Sequence, residues 1–161
     1  MNPFTRRKFV KGSALAAGSL LFTPMVQANA MRQNQNPVLR LAVIGCGGRG
    51  TGAIRQALQA DPDTELVAMA DAFQDRLDDC YNNLTQIFDE KRLKVKDADK
   101  YVGFDAYKKA IDKADVVILA TTPGFRPVHF RYAIEQGKHV FMEKPVAIDA
   151  PGIRSVLETG R

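Results

Sequence analysis

The chain has 161 residues and a formal net charge of +5. Residues 1–30 contain four basic and no acidic side chains, so they supply +4 of that charge and leave about +1 on the other 131 residues. The basic isoelectric point is therefore no argument for nucleic-acid binding, and we expect no nucleic-acid partner. The basic cluster of residues 91–96 has no aromatic residues and is followed by Asp97 and Asp99, which indicates a solvated loop.

Residues 1–30 read as an export signal rather than as part of the fold. Arg6 and Arg7 form a twin-arginine pattern, residues 12–26 are mildly apolar, and residues 28–30 form an A-x-A cleavage site. An uncleaved anchor is the alternative, but the apolar run is short and broken, whereas a membrane helix needs about 20 apolar residues. We therefore predict that the twin-arginine export machinery is a partner and that the protein is periplasmic or secreted. Residues 31–37 are predicted to be a polar linker.

Strand and helix patterns alternate through residues 38–161, which suit one domain. The predicted strands are Leu39–Gly45, Glu65–Asp71, Tyr101–Val102, Asp115–Thr121 and His139–Met142. The predicted helices are Gly50–Ala60, Gln74–Phe88, Phe104–Ile111, Pro127–Gln136 and a last one with Asp149 as N-cap. Strands separated by helix-length segments predict an α/β domain with a doubly wound, Rossmann-type parallel sheet.

A glycine-rich turn follows the first predicted strand. Gly45, Gly47 and Gly50 have the G-x-G-x-x-G spacing, with Cys46, Gly48 and Arg49 between them, and a helical pattern follows. A dinucleotide pyrophosphate needs this order, because the glycines allow a tight turn, close backbone approach and helix–strand packing, while the helix N-terminus offers N–H groups. A similar turn that binds nothing is the alternative.

Asp71 ends the second predicted strand, 21 residues after Gly50. An acid at this place suits the ribose hydroxyls of the adenosine half of NAD, and it would repel the 2′-phosphate of NADP. Arg76 is the nearby cation that favours NADP, but it also has Asp75 and Asp79 as candidate partners. The sequence therefore favours NAD over NADP, with Asp71 as a helix cap as the alternative.

The later strand ends carry a second set of polar residues. Ala120-Thr121-Thr122-Pro123, then His129, then Gly137-Lys138-His139-Val140 and Glu143-Lys144-Pro145 follow the glycine turn and Asp71 in order. This arrangement resembles the Gfo/Idh/MocA family of NAD(P)-dependent sugar and polyol oxidoreductases over residues 38–161. The Glu-Lys-Pro element after Gly-Lys-His is the most specific part of the resemblance.

The resemblance implies a role for each of these residues. Lys144 would be catalytic and would stabilise the alkoxide charge that develops as hydride leaves a sugar or polyol. Glu143 would position the nicotinamide, and Thr121, Thr122 and Pro123 would line the cofactor. His129 is the candidate for a family histidine, but Gly124–Pro127 makes its spacing from Pro123 longer than in relatives, so a packing role is as well supported.

The resemblance also implies a second α/β domain, which is absent from this chain. We therefore expect residues 38–161 to be the cofactor half of a longer enzyme that holds NAD tightly, and this segment alone to be inactive. We expect that the full-length protein can form a homo-oligomer. Two other functions stay open: an NAD-dependent glycoside hydrolase or epimerase that oxidises its substrate transiently, and a non-catalytic nucleotide-binding remnant. In the hydrolase branch a lysine is not expected at the position of Lys144.

Cys46 and Cys80 are the two cysteines. An exported protein could join them in a disulfide. Their predicted places, in the glycine turn and inside the second helix, are expected to hold them too far apart. The sequence shows no Cys/His cluster at ligand spacing, so we predict no metal site.

Overall fold

The computed structural model describes residues 37–161. The predicted export signal and nearly all of the predicted linker lie outside these residues. Five parallel strands form one sheet in the order β3-β2-β1-β4-β5. The strands are β1 (Leu39–Ile44), β2 (Thr64–Asp71), β3 (Lys100–Val102), β4 (Val116–Leu119) and β5 (His139–Met142). The predicted Rossmann-type parallel sheet is therefore confirmed.

The helices connect successive strands, and the last one follows β5. They are α1 (Gly48–Ala60), α2 (Gln74–Thr85), α3 (Ala106–Lys113), α4 (Arg126–Glu135) and α5 (Ala150–Thr159). Asp149 caps α5 as predicted, since its Oδ1 accepts a hydrogen bond from the Gly152 N–H at 2.8 Å. Among residues 37–161, no helix is long and apolar enough to cross a membrane.

Several predicted boundaries differ from the structure, each for a local reason. The first strand stops at Ile44 because Gly45 has a φ of +94°, outside the range of a strand. The third helix starts at Ala106 rather than Phe104, because Phe104 and Asp105 lie in a turn closed by a hydrogen bond from the Ala106 N–H to the Gly103 carbonyl oxygen, and Asp105 is the N-cap. The second helix ends at Thr85 rather than Phe88, and the N–H groups of Ile87 and Phe88 both donate to the Leu84 carbonyl in a closing turn.

Helices cover both faces of the sheet. On one face α1 and α2 bury a cluster that includes Val43, Ile54 and Leu77. On the other face α3 and α4 bury a cluster that includes Ile44 and Ile111. Burial on both faces explains why the central strands read as continuous apolar runs.

The lysines of the basic segment 91–96 are exposed in a loop, as the charge pattern indicated, but the residues between them pack against the sheet. Leu93 and Val95 are buried, and Leu93 forms a bridge to Leu66 in β2. Arg92 donates to the carbonyl oxygens of Leu58 and Thr64 at 2.5 and 2.7 Å. The bridge between Leu93 and Leu66 extends the backbone pairing of β2 beyond its contact with β3.

Strand order determines where a ligand can bind. β1 pairs with β2 on one side and with β4 on the other. The order in which the chain adds strands to the sheet therefore reverses at β1. Ligands of open α/β sheets bind at the carboxyl ends of the strands, at this switch point. The glycine turn follows β1 directly and lies there.

Candidate functional site

The glycine turn fits closely against the end of β4. A Cβ on Gly45 would lie 2.6 Å from the Thr121 nitrogen, and a Cβ on Gly50 would lie 1.8 Å from the Gly45 carbonyl oxygen. A Cβ on Gly47 would meet no described atom within 4 Å. Gly45 and Gly50 therefore allow the backbone to pack closely at this turn. Gly47 instead faces open space at the start of α1, where the first N–H groups of a helix favour an anion.

Asp71 connects the end of β2 to this turn. Its Oδ2 accepts a hydrogen bond from the Cys46 N–H at 2.6 Å, and its Oδ1 accepts one from the Phe73 N–H at 3.0 Å. The N-cap of α2 is Phe73, so Asp71 does not occupy the capping position. A carboxylate has about four lone-pair sites, which leaves acceptor capacity for ribose hydroxyls.

An open crevice of about 510 Å³ joins several of the predicted residues. Gly45 and Gly47 line it at one end, Asp71 lies along its side, and Thr121 and Thr122 line it at the end of β4. Its size is that of a small-molecule or cofactor site. Pro123, predicted to line the cofactor, is half-buried and is the next residue along the chain from Thr122.

Sequence reasoning missed three aromatic rings in the crevice. Phe73, Phe104 and Phe125 also line it, and the ring centroids of Phe104 and Phe125 are 5.8 Å apart in a stacked arrangement. Phe104 is 70% exposed and Phe125 is 46% exposed. Each lies in the loop after a strand, and large aromatic residues in such loops were the available signal. They give the crevice a flat apolar surface beside Asp71.

His129 is a buried, neutral histidine in the first turn of α4. Its ring lies 4.2 Å from the Tyr107 ring, between centroids, and its Nδ1 is 3.2 Å from the Thr121 Oγ1. Burial lowers the pKa of His129 to about 4. The structure therefore gives His129 a packing role and a contact that orients Thr121, while direct contact with a cofactor stays a prediction.

Glu143 is buried at the end of β5, where Arg49 reaches it from the glycine turn. The Arg49 Nε donates to the Glu143 Oε1 at 2.7 Å, and a second guanidinium nitrogen forms an ion pair with the same oxygen. This hydrogen bond lowers the pKa of Glu143, which holds the side chain ionised. Lys144 is the next residue and is exposed to solvent. Sequence reasoning predicted all three residues but not the ion pair.

Arg126 is a further residue of the site, for which the sequence carries no local signal. The side chain is buried, with the residue 5% exposed, and burial lowers the pKa of its guanidinium. Its Nε donates to the Thr121 carbonyl oxygen at 2.7 Å. Its Nη1 donates to the carbonyl oxygens of Glu143 and Pro145 at 2.7 and 2.5 Å. Arg126 thus joins the ends of β4 and β5.

Cys46 and Cys80 both lie in the core between α1, α2 and the sheet. Both are free and buried in the same core cluster. Contact with the Cys80 thiol and burial raise the pKa of Cys46, which keeps it protonated. Both thiols are free in the structure, which agrees with the prediction that no disulfide joins them. Within the described part of the chain, no group of His, Cys, Asp or Glu side chains has the geometry of a metal site.

Fold and site together define an NAD-binding Rossmann domain. Residues 39–161 match the family model described as "Oxidoreductase family, NAD-binding Rossmann fold". The chain therefore belongs to the Gfo/Idh/MocA oxidoreductase family, as the sequence motifs predicted, and the cofactor of this fold is NAD.

Curated relatives fall into two groups by name. A "Glycosyl hydrolase family 109 protein 1" of Bacteroides fragilis is 32% identical over 125 residues, which cover 76% of this chain and 25% of the relative. An "Inositol 2-dehydrogenase" of Serratia proteamaculans is 32% identical over 123 residues, covering 74% of this chain and 32% of the relative. The chain thus spans about a quarter to a third of these relatives.

Solved structures share the fold. The myo-inositol dehydrogenase of Lactobacillus casei, in complex with NAD(H) and myo-inositol, has a TM-score of 0.62 at 20% identity and covers 76% of this chain and 33% of its own. The myo-inositol 2-dehydrogenase of Lactobacillus plantarum has a TM-score of 0.59 at 24% identity, over 75% and 32%. At these identities the likeness shows the fold alone.

Acidification is expected to destabilise the domain through His129. Its pKa of about 4 in the folded state lies below the value of about 6.5 for an unfolded histidine. The unfolded chain therefore binds a proton that the folded chain does not, and the free energy of unfolding falls as the pH drops from about 6.5 to about 4. At about 1.4 kcal/mol per pKa unit, roughly 2 kcal/mol is lost between pH 7 and pH 5.

Urea unfolding at pH 7 and pH 5 measures this loss. His129→Phe keeps a ring but removes the titrating group, so its loss is expected to be smaller than that of the wild type. His139→Gln is the matched control, because His139 is exposed, and it should behave like the wild type. Equal losses in the wild type and His129→Phe would contradict the prediction.

Proposed function

We propose that this domain is the cofactor half of an oxidoreductase that moves hydride between NAD and a sugar or polyol. The observation that carries the proposal is Lys144, a solvent-exposed ammonium held at the end of β5 next to the buried, ionised Glu143. An ammonium there would hydrogen-bond the reacting hydroxyl and stabilise the charge that develops on its oxygen. The inositol 2-dehydrogenase relative supports a polyol substrate.

The cofactor would run along the crevice in a defined direction. The pyrophosphate would lie at Gly47 and the start of α1, the ribose hydroxyls at Asp71, and the adenine against Phe104 and Phe125. The nicotinamide would then extend past Thr121 toward Glu143. NAD supplies the hydride acceptor when bound. The protein's own groups orient it and stabilise charge on the substrate oxygen.

A second candidate is an NAD-dependent glycoside hydrolase. The matches to glycosyl hydrolase family 109 proteins favour it. Its chemistry would oxidise a sugar, eliminate the glycosidic substituent, add water and reduce the sugar again, so the NAD would be regenerated in each cycle. Lys144 favours the first candidate over the second.

We further propose that the protein is exported and keeps its NAD bound. The twin-arginine pattern at Arg6 and Arg7 supports export, and that route carries folded proteins. Free NAD is expected to be scarce outside the cytoplasm, so an exported enzyme would need a cofactor loaded before export. Oxidation of one substrate would then be balanced by a later reduction, with no net release of NADH.

Removing the acid at the end of β2 is expected to change the choice of nucleotide. Asp71→Ala should weaken NAD binding by roughly 1–3 kcal/mol, because the ribose hydroxyls lose their acceptor. NADP binding should fall less or rise, because a negative charge near its 2′-phosphate is gone. Calorimetric titration with both nucleotides measures the two effects.

Two further variants separate this role from the support that Asp71 gives the turn. Asp71→Asn keeps an acceptor for the Cys46 N–H but lacks the charge, so it should still shift the preference toward NADP. Asp75→Ala alters an exposed acid nearby in α2 and should leave both affinities unchanged. Equal weakening of NAD and NADP in both Asp71 variants would mean that the carboxylate supports only the turn.

Lys144 is expected to act on hydride transfer rather than on cofactor binding. In the full-length protein, Lys144→Ala should slow single-turnover hydride transfer by at least about 100-fold, the usual effect of losing one group that stabilises an oxyanion. The absorbance of reduced nicotinamide reports transfer, and extraction of bound nucleotide reports binding. Lys138→Ala, before β5, is the control and should retain both. Loss of NAD from Lys144→Ala, or unchanged transfer, would contradict the assigned role.

Export is expected to depend on the arginine pair. Replacing Arg6 and Arg7 with lysines preserves the charge but removes the twin-arginine pattern, so the precursor should stay in the cytoplasm. Cell fractionation and immunoblotting measure its location. A variant with Lys8 and Lys11 changed to arginine is the control and should still be exported. Normal export of the double-lysine variant would overturn the proposal.

A further inference from the structure

Arg126 contacts the chain on both sides of Lys144. Its Nη1 donates to the carbonyl oxygen of Glu143, in the peptide unit that precedes Lys144, at 2.7 Å. The same nitrogen donates to the carbonyl oxygen of Pro145, the residue after Lys144, at 2.5 Å. The backbone of Lys144 is therefore anchored from both sides, while its side chain stays exposed.

The third contact of Arg126 fixes this segment relative to the cofactor crevice. The Nε donates to the carbonyl oxygen of Thr121 at 2.7 Å, and Thr121 lines the crevice at the end of β4. A guanidinium is planar and presents its donors in a rigid fork. One buried side chain thus sets the spacing between the crevice wall and the backbone of Lys144.

Glu143 is held by two different arginines. Arg49 binds its side chain from the glycine turn, whereas Arg126 binds its carbonyl oxygen. The two contacts fix the carboxylate and the backbone independently. Burying a charge among carbonyl oxygens is costly unless its donors are satisfied, and here the Nε and Nη1 of Arg126 bind three acceptors. An apolar residue could fill the same space but could not bind all three.

We infer that Arg126 is a positioning residue, which holds Glu143 and Lys144 in register with the crevice so that they meet the nicotinamide end of the cofactor. This inference rests on the proposed function of the same site. Arg126 does not itself line the crevice, and its hydrogen bonds go to backbone carbonyl groups. Its effect would therefore pass through the backbone of Thr121 and of the residues on either side of Lys144.

The affinities of the full-length protein for NAD and for ADP test the inference. ADP carries the adenosine and phosphate groups that the glycine turn and Asp71 would bind, but it lacks the nicotinamide. Arg126→Gln should reduce the ratio of NAD affinity to ADP affinity by about two- to tenfold, as expected for a lost hydrogen bond, with ADP affinity unchanged. Arg126→Lys keeps a cation that can reach some of the carbonyl groups, so it should lie between the wild type and Arg126→Gln.

Arg131→Gln is the matched control, because Arg131 is on the same helix, is exposed and donates to the Ser155 Oγ. It should leave both affinities unchanged. If Arg126→Gln does not fold, the same comparison in Arg126→Lys decides. A wild-type preference for NAD that both Arg126 variants retain would overturn the inference alone. Equal loss of NAD and ADP affinity would mean that Arg126 only supports the fold, which would also overturn the inference. A wild type that binds NAD no better than ADP would overturn the proposed function as well.

Discussion

The close approach between the glycine turn and the end of β4 is the constraint on which the site depends. Side chains at positions 45 and 50 would collide with backbone atoms, at 2.6 and 1.8 Å from the nearest ones. Because both are glycine, α1 can lie on the sheet with its first N–H groups facing the crevice. The turn also receives Asp71 through the Cys46 N–H. The positions of α1, β2 and β4 are therefore fixed by one segment of backbone.

Charged side chains extend this arrangement to β5. Arg49 leaves the turn and reaches Glu143, and Arg126 joins the carbonyl groups of Glu143 and Thr121. A buried charge costs free energy unless it is paired or hydrogen-bonded. The arrangement of Arg49, Glu143 and Arg126 satisfies that requirement and at the same time anchors the backbone on either side of Lys144. Stability and geometry of the site thus depend on the same contacts.

Local patterns in the sequence predicted most of the fold. Apolar runs, glycine positions and the cap at Asp149 act over a few residues, so they can be read without knowing what packs against them. The order of residues at the strand ends also predicted that Asp71 and Thr121 lie together, because parallel strands bring their carboxyl ends to one edge. The role of Lys144 stays a prediction. Helix ends were displaced by two or three residues where a turn intervened.

Contacts between distant residues could not be predicted in this way. Arg92, Arg126 and the pair of Cys46 and Cys80 carry no local signal, because their partners lie far away in the chain. The segment from Gly124 to Pro127 looked like a departure from the family pattern. In the structure it supplies both Phe125 in the crevice and Arg126 beneath it. The residues that lengthen this spacing thus make contacts at the crevice and at the end of β4.

The two candidate functions share the part of the reaction that an NAD-binding Rossmann domain serves. A dehydrogenase and a hydrolase that oxidises its substrate transiently both begin with hydride transfer to NAD, so both need a glycine turn, an acid at β2 and an ordered nicotinamide. One member of each group of relatives is 32% identical to this segment, so identity alone does not separate the two candidates. The difference that we propose to weigh is Lys144, since a lysine is not expected at this position in the hydrolase branch. Arg126 anchors the backbone on either side of Lys144.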